Sequence, residues 1–513
     1  MRERARLSFA TFLPLACAAL VACDGTHRSD GERLARAYCS ACHAFPEPQL
    51  LAKETWRTGV LPQMAPRLGA GTRSLFDEAS RNPHMLVLRD TVSEEDWELI
   101  VGYYLEAAPD TLPQQSLPAE PQVDPALFKT APFIPRLESS AIITLLHVDS
   151  THQRVFIGEA GSNRLRVFDR ERRLNASHAL SSPPTGVVIE NESLLVLESG
   201  ILSPNDEARG TLVRYDFATG DSLRAPTILI DSLLRPVFVE AFDFDRDGES
   251  ELLICEYGNN RGRLALYEYD GSRYARRVLD SQPGAIRVEI RDMTGDGAAD
   301  IVALFAQGDE RIALFENDGR GRFSKRPRIL ARFPPVYGSM HFSMHDFNGD
   351  GSLDILYVNG DNFDFSRVLK PYHGVRILEN DGSNAFHERF FFPVHGAARG
   401  EAADFDKDGD LDILTTSNFA DAGHPERGII FLESTAPYEF RPFAFPIASG
   451  NQWNLTAPAD LNGDDWPDVI VGAMDLESIA TLQGRPRPTS DVSKAAVLFF
   501  ENTMQARSSA RSQ

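Results

Sequence analysis

The sequence predicts a multi-domain protein, a small all-α unit followed by an all-β, seven-bladed β-propeller. Three observations carry this expectation. An aspartate-rich motif recurs five times at blade-like spacing, a Cys-x-x-Cys-His run sits between two helical patterns near the start, and a proline-rich stretch separates the two regions. The 513 residues are 42% hydrophobic and 25% charged, enough for two or three domains with real cores. With 52 Lys and Arg against 74 Asp and Glu, the formal charge of −22 argues against a nucleic-acid backbone or an anionic membrane surface as the main partner. Five cysteines in this length do not make a disulfide scaffold, and no apolar run beyond the first few dozen residues is long enough to span a bilayer.

The first element, residues 1–22, reads as an export signal. Arg2, Arg4 and Arg6 form a positive region, and Leu7 to Ala22 is an apolar stretch too short for a stable spanning helix. Leu20-Val21-Ala22-Cys23 resembles the lipobox of bacterial lipoproteins. That resemblance implies a lipid-modified Cys23 and an exported protein, periplasmic or at the cell surface, held on a membrane without spanning it. Cys17 falls inside the removed segment.

Cys39-Ser40-Ala41-Cys42-His43 has the spacing of c-type haem attachment: two thiols on one helical turn, and an imidazole beside them for the iron. A zinc site wants a second ligand pair at finger-like spacing, and a redox dithiol wants a βαβ context; neither follows here. Asp30 to Tyr38 reads as a helix entering the motif, and Ser93-Glu94-Glu95-Asp96 as the capped start of a second helix through Ile100, Val101, Tyr104 and Leu105. Residues 23–108 thus resemble a small class I cytochrome c domain. The resemblance implies one covalent haem c with His43 on the iron. Met64, flanked by Pro62 and Pro66 in an expected rigid loop, is preferred as second axial ligand over Met85, whose neighbour is His84. Pro109, Pro113, Pro118, Pro121, Pro125, Pro132 and Pro135 then mark residues 109–135 as an extended linker.

The remainder, residues 136–503, is repetitive. Asp243, Asp245, Asp247 and Glu251 open the series, followed by Asp292, Thr294, Asp296 and Asp300, then Asp346, Asn348, Asp350 and Asp354. Asp404, Asp406, Asp408 and Asp412, then Asp460, Asn462, Asp464 and Asp468, complete it. Oxygen side chains fall at positions 1, 3, 5 and 9, glycine stands at position 6 in four of the five, and the first aspartates lie 49, 54, 58 and 56 residues apart. Clustered oxygens around a glycine turn suit a hard cation such as Ca²⁺. An EF-hand does not fit, because position 12 is Ile254 in the first copy and Thr415 in the fourth, and apolar β-type runs follow the loops. The motif resembles the calcium-binding FG-GAP/VCBS repeats of integrin-like propellers, which implies about five bound Ca²⁺ whose charge offsets much of the acidic excess. Two weaker repeats, His147 to Asp169 and Val187 to Tyr215, precede these and bring the blade count to seven. The last strand, Val497 to Glu501, is expected to close the ring, and residues 504–513 form a polar tail.

In the resembled family the strand before the calcium loop is innermost. Counting back three residues from each first aspartate gives Glu240, Glu289, Ser343, Glu401 and Ala457; counting back five gives Phe238, Arg287, His341, Arg399 and Leu455. Alternate residues share a strand face, so Glu240, Glu289 and Glu401 with Arg287, His341 and Arg399 are candidates to line a central channel, as catalytic or binding groups or as plain salt bridges in water. One blade is interrupted by Asn359 to Gly374, containing Asp361, Asp364, Lys370, Tyr372 and His373, a candidate lid or docking loop. Cys255, in an apolar strand, reads as core.

Three functions fit this sequence. The first is an exported electron-transfer protein whose propeller docks a redox partner or ligand. The second is an oxidoreductase whose channel binds a polar substrate and passes electrons to the haem. The third is a surface binding or adhesion module for a polar small molecule or glycan, with an accessory haem. No Ser/His/Asp order, phosphate-binding glycine loop or dinucleotide fingerprint names a reaction.

Overall fold

The computed structural model describes residues 30–70, 92–123, 127–134, 142–190, 192–218, 221–361, 368–448, 451–475 and 495–504. Cys17, Cys23, His84, Met85 and Asp364 lie outside these residues. Contacts divide the chain into two units, Met1–Leu112 and Pro113–Gln513. No helix among the described residues is long and apolar enough to cross a membrane.

The N-terminal unit contributes short helices. Residues 30–39 form the first, ending at the Cys-x-x-Cys-His run. An irregular helical run follows, Lys53–Thr55 and a wider π-type turn Trp56–Val60 leading into Leu61–Arg67. Ser93 caps the helix Glu94–Ala107 by accepting from the Asp96 N–H at 3.0 Å, as its capping pattern predicts, and three acidic residues complement the positive end of the helix dipole. At Gly31 a Cβ would lie 2.4 Å from the Leu99 carbonyl oxygen and 2.9 Å from the Tyr103 Cβ, so the absent side chain lets helix 30–39 and helix Glu94–Ala107 touch. Met64 departs from expectation. It is half-buried within helix Leu61–Arg67 and not in a loop, because the π-type turn Trp56–Val60 runs straight into that helix with helical backbone at Val60 and Leu61, and the irregular run accommodates both Pro62 and Pro66.

The C-terminal unit is a seven-bladed propeller of antiparallel four-stranded sheets. The blades begin with the strands Ile143–Asp149, Pro184–Glu190, Pro236–Phe242, Ala285–Arg291, Ser339–His345, Ala397–Ala403 and Trp453–Ala459. These first strands contact those of the neighbouring blades, which makes them the innermost ring. The second strands, such as Glu251–Glu256 and Asp300–Phe305, are buried at every position. Both of their faces are covered: Leu252 and Ile254 pack with Leu195 and Leu197 of the preceding blade, while Leu253 and Cys255 pack with Ile301 and Phe305 of the next. That two-sided burial explains why these strands read as continuous apolar runs, and it places Cys255 in the core. Every innermost strand also breaks register at one equivalent place, between Ala285 and Arg287 or Ser339 and His341, for example. An extra residue there increases the local twist, which suits strands converging on an axis.

The ring closes differently from the sequence reading. Residues 109–135 do not serve only as linker, since Gln122–Val123 adds a parallel pair to the outer edge of the sixth blade and Phe128–Ile134 is the outermost strand of the seventh. Val497–Asn502, expected to close the ring, is the third strand of that blade, and the N-terminal strand pairs on it. Pro132 is tolerated because an outermost strand has a ladder to satisfy on one side only. Met504, at the head of the expected polar tail, is buried in the core.

Phe128 fastens this closure. It is 2% exposed and meets Phe405, Phe431, Phe445 and Phe500 edge-on at 5.4 to 5.9 Å, joining the sixth and seventh blades. Phe128→Ala is expected to lower stability in urea by about 3–5 kcal/mol, while Leu174→Ala on an exposed outer strand changes it by less than about 0.5 kcal/mol. A Phe128→Ala cost below about 1 kcal/mol would remove this residue from the closure.

Candidate functional site

All five aspartate-rich loops join a first strand to a second strand and share one backbone course. Position 4 has positive φ in each, at Arg246, Gly295, Gly349, Lys407 and Gly463. Position 6 does too, at Gly248, Gly297, Gly351, Gly409 and, in the fifth loop, Asp465 at 66°. Gly409 reaches 103°, beyond the region an L-residue tolerates, whereas 66° is open to aspartate, which explains why one loop dispenses with glycine. The first aspartate folds each loop by accepting from the N–H of position 6, at 2.8 to 3.2 Å.

Side chains at positions 1, 3 and 5 converge. The carboxylates of Asp243, Asp245 and Asp247 lie within 4.8 Å of one another, as do those of Asp404, Asp406 and Asp408. Thr294, Asn348 and Asn462 place a neutral oxygen at position 3 in the other loops. In the fourth loop Asp406 Oδ1 and Asp410 Oδ1 are buried without a hydrogen-bond partner, and burial together with the charge of Asp408 pushes Asp406 up to about 6. Such a cluster of oxygens holds its negative charge at a cost unless a cation sits among them.

Position 9 does something the sequence did not reveal. Asp300, Asp354, Asp412 and Asp468 are 0–1% exposed, and each carboxylate bridges two backbone segments. One oxygen accepts from the N–H of position 2, at Met293, Phe347, Phe405 or Leu461. The other accepts at 2.8 Å from the end of the third strand, at Asn317, Asn380, Ser434 or Asn502. Glu251 keeps the first bond, to Phe244 N–H. Asparagine extends the latch between blades: Asn317 Nδ2 donates to the Phe244 carbonyl of the preceding blade and Asn502 Nδ2 to that of Phe405. The Glu316-Asn317 and Glu501-Asn502 pairs are the sequence signal for it, and in the fifth blade Asn384, in place of Asn380, donates to the Met293 carbonyl. Burial drives all five position-9 carboxyls up, Asp412 to about 8 and Asp468 to about 7.

The channel residues form two tiers on the innermost strands. Arg287, His341 and Arg399 follow the register break in adjacent blades. His341 is 1% exposed and neither ring nitrogen has a partner; desolvation, then Arg287 and Arg399, hold it well below the usual histidine range. Two residues along, Glu289 pairs with Arg291 at 2.8 Å and meets Arg287 at 3.5 Å, Glu401 accepts from Thr456 Oγ1 at 2.6 Å, and Glu240 stands exposed. Burial raises Glu401, and Glu240, although its side chain reaches solvent, is raised by partial desolvation against the surrounding strands. The structure therefore brings together Arg287, His341, Arg399, Glu289 and Glu401, while Ser343 and Ala457 interrupt the acidic tier.

The interrupted blade carries its loop between the second and third strands. The described part is packed down: Lys370 and His373 are fully buried, the Gln115 amide donates to the His373 carbonyl at 2.8 Å, and Arg376 to that of Tyr372 at 2.9 Å. Burial lowers Lys370 to about 8.

In the N-terminal unit Cys39 is half-buried and Cys42 exposed, and neither is in a disulfide. His43 is half-buried with Nδ1 2.9 Å from the Ala44 carbonyl oxygen. Phe45, Trp56 and Tyr103 surround the buried Tyr104, whose hydroxyl donates to the Pro46 carbonyl at 2.9 Å. Desolvation raises the Cys39 thiol to about 11.

Residues 243–303 and 292–357 match the FG-GAP-like repeat family. Among solved structures, the Dos1 propeller is similar at 11% identity and TM-score 0.42, over 70% of this chain and 77% of that one. A luciferin-regenerating enzyme is similar at 10% identity and TM-score 0.37, over 73% and 95%.

The position-9 bridge makes a prediction separable from any cation. In chelator, Asp300→Ala leaves the Met293 and Asn317 N–H groups buried and unpaired and is expected to cost about 2–4 kcal/mol in urea denaturation. Asp231→Ala, on an exposed outer strand, is expected to stay within about 0.5 kcal/mol, and equal costs for the two would refute the bridge.

Proposed function

We propose that this is an exported haem c protein of electron transfer whose calcium-braced propeller docks a redox partner or ligand. The observation that carries the reading is Cys39-Ser40-Ala41-Cys42-His43 at the end of helix 30–39, which crosses helix Glu94–Ala107 at Gly31. When bound, a haem c supplies a one-electron redox centre. Cys39 and Cys42 would hold it by thioethers, and Tyr104, which contacts Cys39, is backed by Phe45, Trp56 and Tyr103. With Nδ1–H donated to the Ala44 carbonyl, His43 keeps its lone pair on Nε2, the form a metal needs. Met64 is the candidate sixth ligand among the described residues, and its thioether would favour the reduced iron. Membrane anchoring through Cys23 rests on the lipobox-like sequence.

Calcium fits the loops by donor chemistry. They offer hard oxygens only, fixed by positive-φ turns, and the unpartnered Asp406 Oδ1 and Asp410 Oδ1 are acceptors awaiting a cation. Its place is structural, because the position-9 latches tie those same loops to the neighbouring strands. Docking would then use the opposite face. First-to-second strand loops all emerge at one end of the blades, and the long second-to-third connections, such as Asn359 to Gly374, at the other.

The decisive measurement for the haem is a visible spectrum of the purified exported protein, oxidised and reduced, with and without carbon monoxide. A sharp low-spin reduced spectrum unmoved by carbon monoxide is expected, and covalent haem should vanish in Cys39→Ala/Cys42→Ala; a high-spin spectrum shifted by carbon monoxide overturns the electron-carrier reading. For the loops, saturating Ca²⁺ at a hundredfold its Kd is expected to add about 2.7 kcal/mol per site, so chelation should lower Tm by several degrees and Ca²⁺, but not Mg²⁺ at equal concentration, should restore it. A Tm indifferent to chelator removes calcium from the account.

A further inference from the structure

Three adjacent blades bring Arg287, His341 and Arg399 to one level of the channel, and their protein partners do not account for them. Arg399 has no ion pair, and its guanidinium no hydrogen bond, among the described residues. His341 has neither ring nitrogen bonded although it is 1% exposed. Arg287 Nε is unbonded too, and the 3.5 Å approach of its Nη2 to Glu289 is a weak contact. Arg399 is half-buried with the Glu401 charge near it, and native folds rarely leave neighbouring buried polar groups such as the His341 ring nitrogens and Arg287 Nε idle. Desolvation, then Arg287, lower Arg399 to about 10, and the nearby Glu401 charge offsets only part of this. His341, held neutral, offers one donor and one acceptor.

The rest of the channel defines what else the occupant must carry. On the same tier Phe238 lies under Arg287 at 5.6 Å and Leu455 continues the wall, so part of this level is apolar. The acidic tier lies two residues further along, about 7 Å away. There Glu401 already accepts a hydrogen bond from the Thr456 hydroxyl, and Glu240 makes no hydrogen bond among the described residues, with Arg287 the charge that attracts it. A bare anion is drawn to the first tier and repelled by the second. An occupant with an acid group at one end and hydrogen-bond donors at the other satisfies both.

We infer that the channel binds a small organic carboxylate bearing hydroxyl or ammonium donors, its acid group between Arg287 and Arg399 against His341 and its donors on Glu401 and Glu240. The basic tier lies in the entry half of the innermost strands, so the acid group sits toward the end bearing the long second-to-third connections and away from the aspartate-rich loops. The site belongs to the propeller alone and stands whether or not the N-terminal unit carries haem.

Isothermal titration of the full chain in Ca²⁺ tests this, with D-glucuronate as the hydroxy acid and L-glutamine as the amino acid, against D-glucose and inorganic phosphate. Saturable binding of glucuronate or glutamine is expected below about 1 mM, and which of the two binds identifies the donor type. Arg399→Gln and Arg287→Gln should each weaken it at least about tenfold, and Arg276→Gln on an exposed outer strand should not. If Arg399→Gln fails to fold, the more exposed Arg287→Gln carries the comparison, with melting in Ca²⁺ as the check on folding. No binding of either carboxylate at about 5 mM, equal binding of glucose, binding of phosphate only, or binding unchanged in the Arg287→Gln variant each overturns the inference. Repeating the titration on Cys39→Ala/Cys42→Ala keeps this outcome separate from the haem reading, since binding there should be unchanged.

Discussion

Much of the propeller hangs on a buried carboxylate that appears once per repeat. Asp300, with its counterparts Asp354, Asp412 and Asp468, takes one N–H from the loop it closes and one from the third strand of its blade, at a depth where water reaches neither. Each such group is worth little when satisfied and about 1–3 kcal/mol when left unpaired, so the fold tolerates its retention and punishes its loss. The asparagines at the third-strand ends then carry the tie into the preceding blade through its position-2 carbonyl. Blade-to-blade packing is thus fixed at the loop end by polar bonds and along the strands by the two-sided apolar contacts of the second strand. Neither alone sets the angle between blades. The apolar layers are non-directional, and the latches specify where they stop.

That arrangement separates the molecule's chemistry by face. The loops that concentrate negative charge are committed to short, fixed turns, with positive φ at positions 4 and 6 in every copy. They cannot vary in length without losing the latch. The connections at the other end have no such duty, and there the chain is free to insert, as between Asn359 and Gly374. Uniform length thus goes with the face that braces the ring, and variation in length with the other face.

The sequence was informative where a side-chain type is demanded by geometry. Oxygen spacing and a glycine turn identified all five loops, and because the inner strand keeps a constant distance to its loop, counting back put Arg287, His341 and Arg399 at equivalent positions of the innermost strands. It was silent where the demand falls on the backbone. The register break in each inner strand has no residue signature, since the extra residue is Ile286 in one blade and Met340 in another. Phe128–Ile134 was hidden by Pro132, because a strand that pairs on one side only is exempt from the rule that excludes proline. Met64 was misplaced for a related reason: Pro62 and Pro66 read as a rigid break, yet an irregular helix entered through the π-type turn Trp56–Val60 accommodates both. The position-9 carboxylates were recognised as oxygens but not as bridges, as their second partner comes from a strand some 20 residues away.

A closed ring also explains how the channel can hold groups that an open fold would not. In a flexible site Arg399 would swing toward Glu401, and His341 toward water. Here each sits on a strand whose neighbours on both sides are themselves strands of the ring, sealed by Phe128 in the last blade. Relaxation of one side chain is limited by packing, and relaxation of one strand requires the whole ring to open. The electrostatic cost of setting Arg399 beside Arg287 is therefore borne by the stability of seven blades and not by a local loop. Charge held in place against its own preference is already oriented for an occupant of opposite sign, and needs no reorganisation when that occupant arrives.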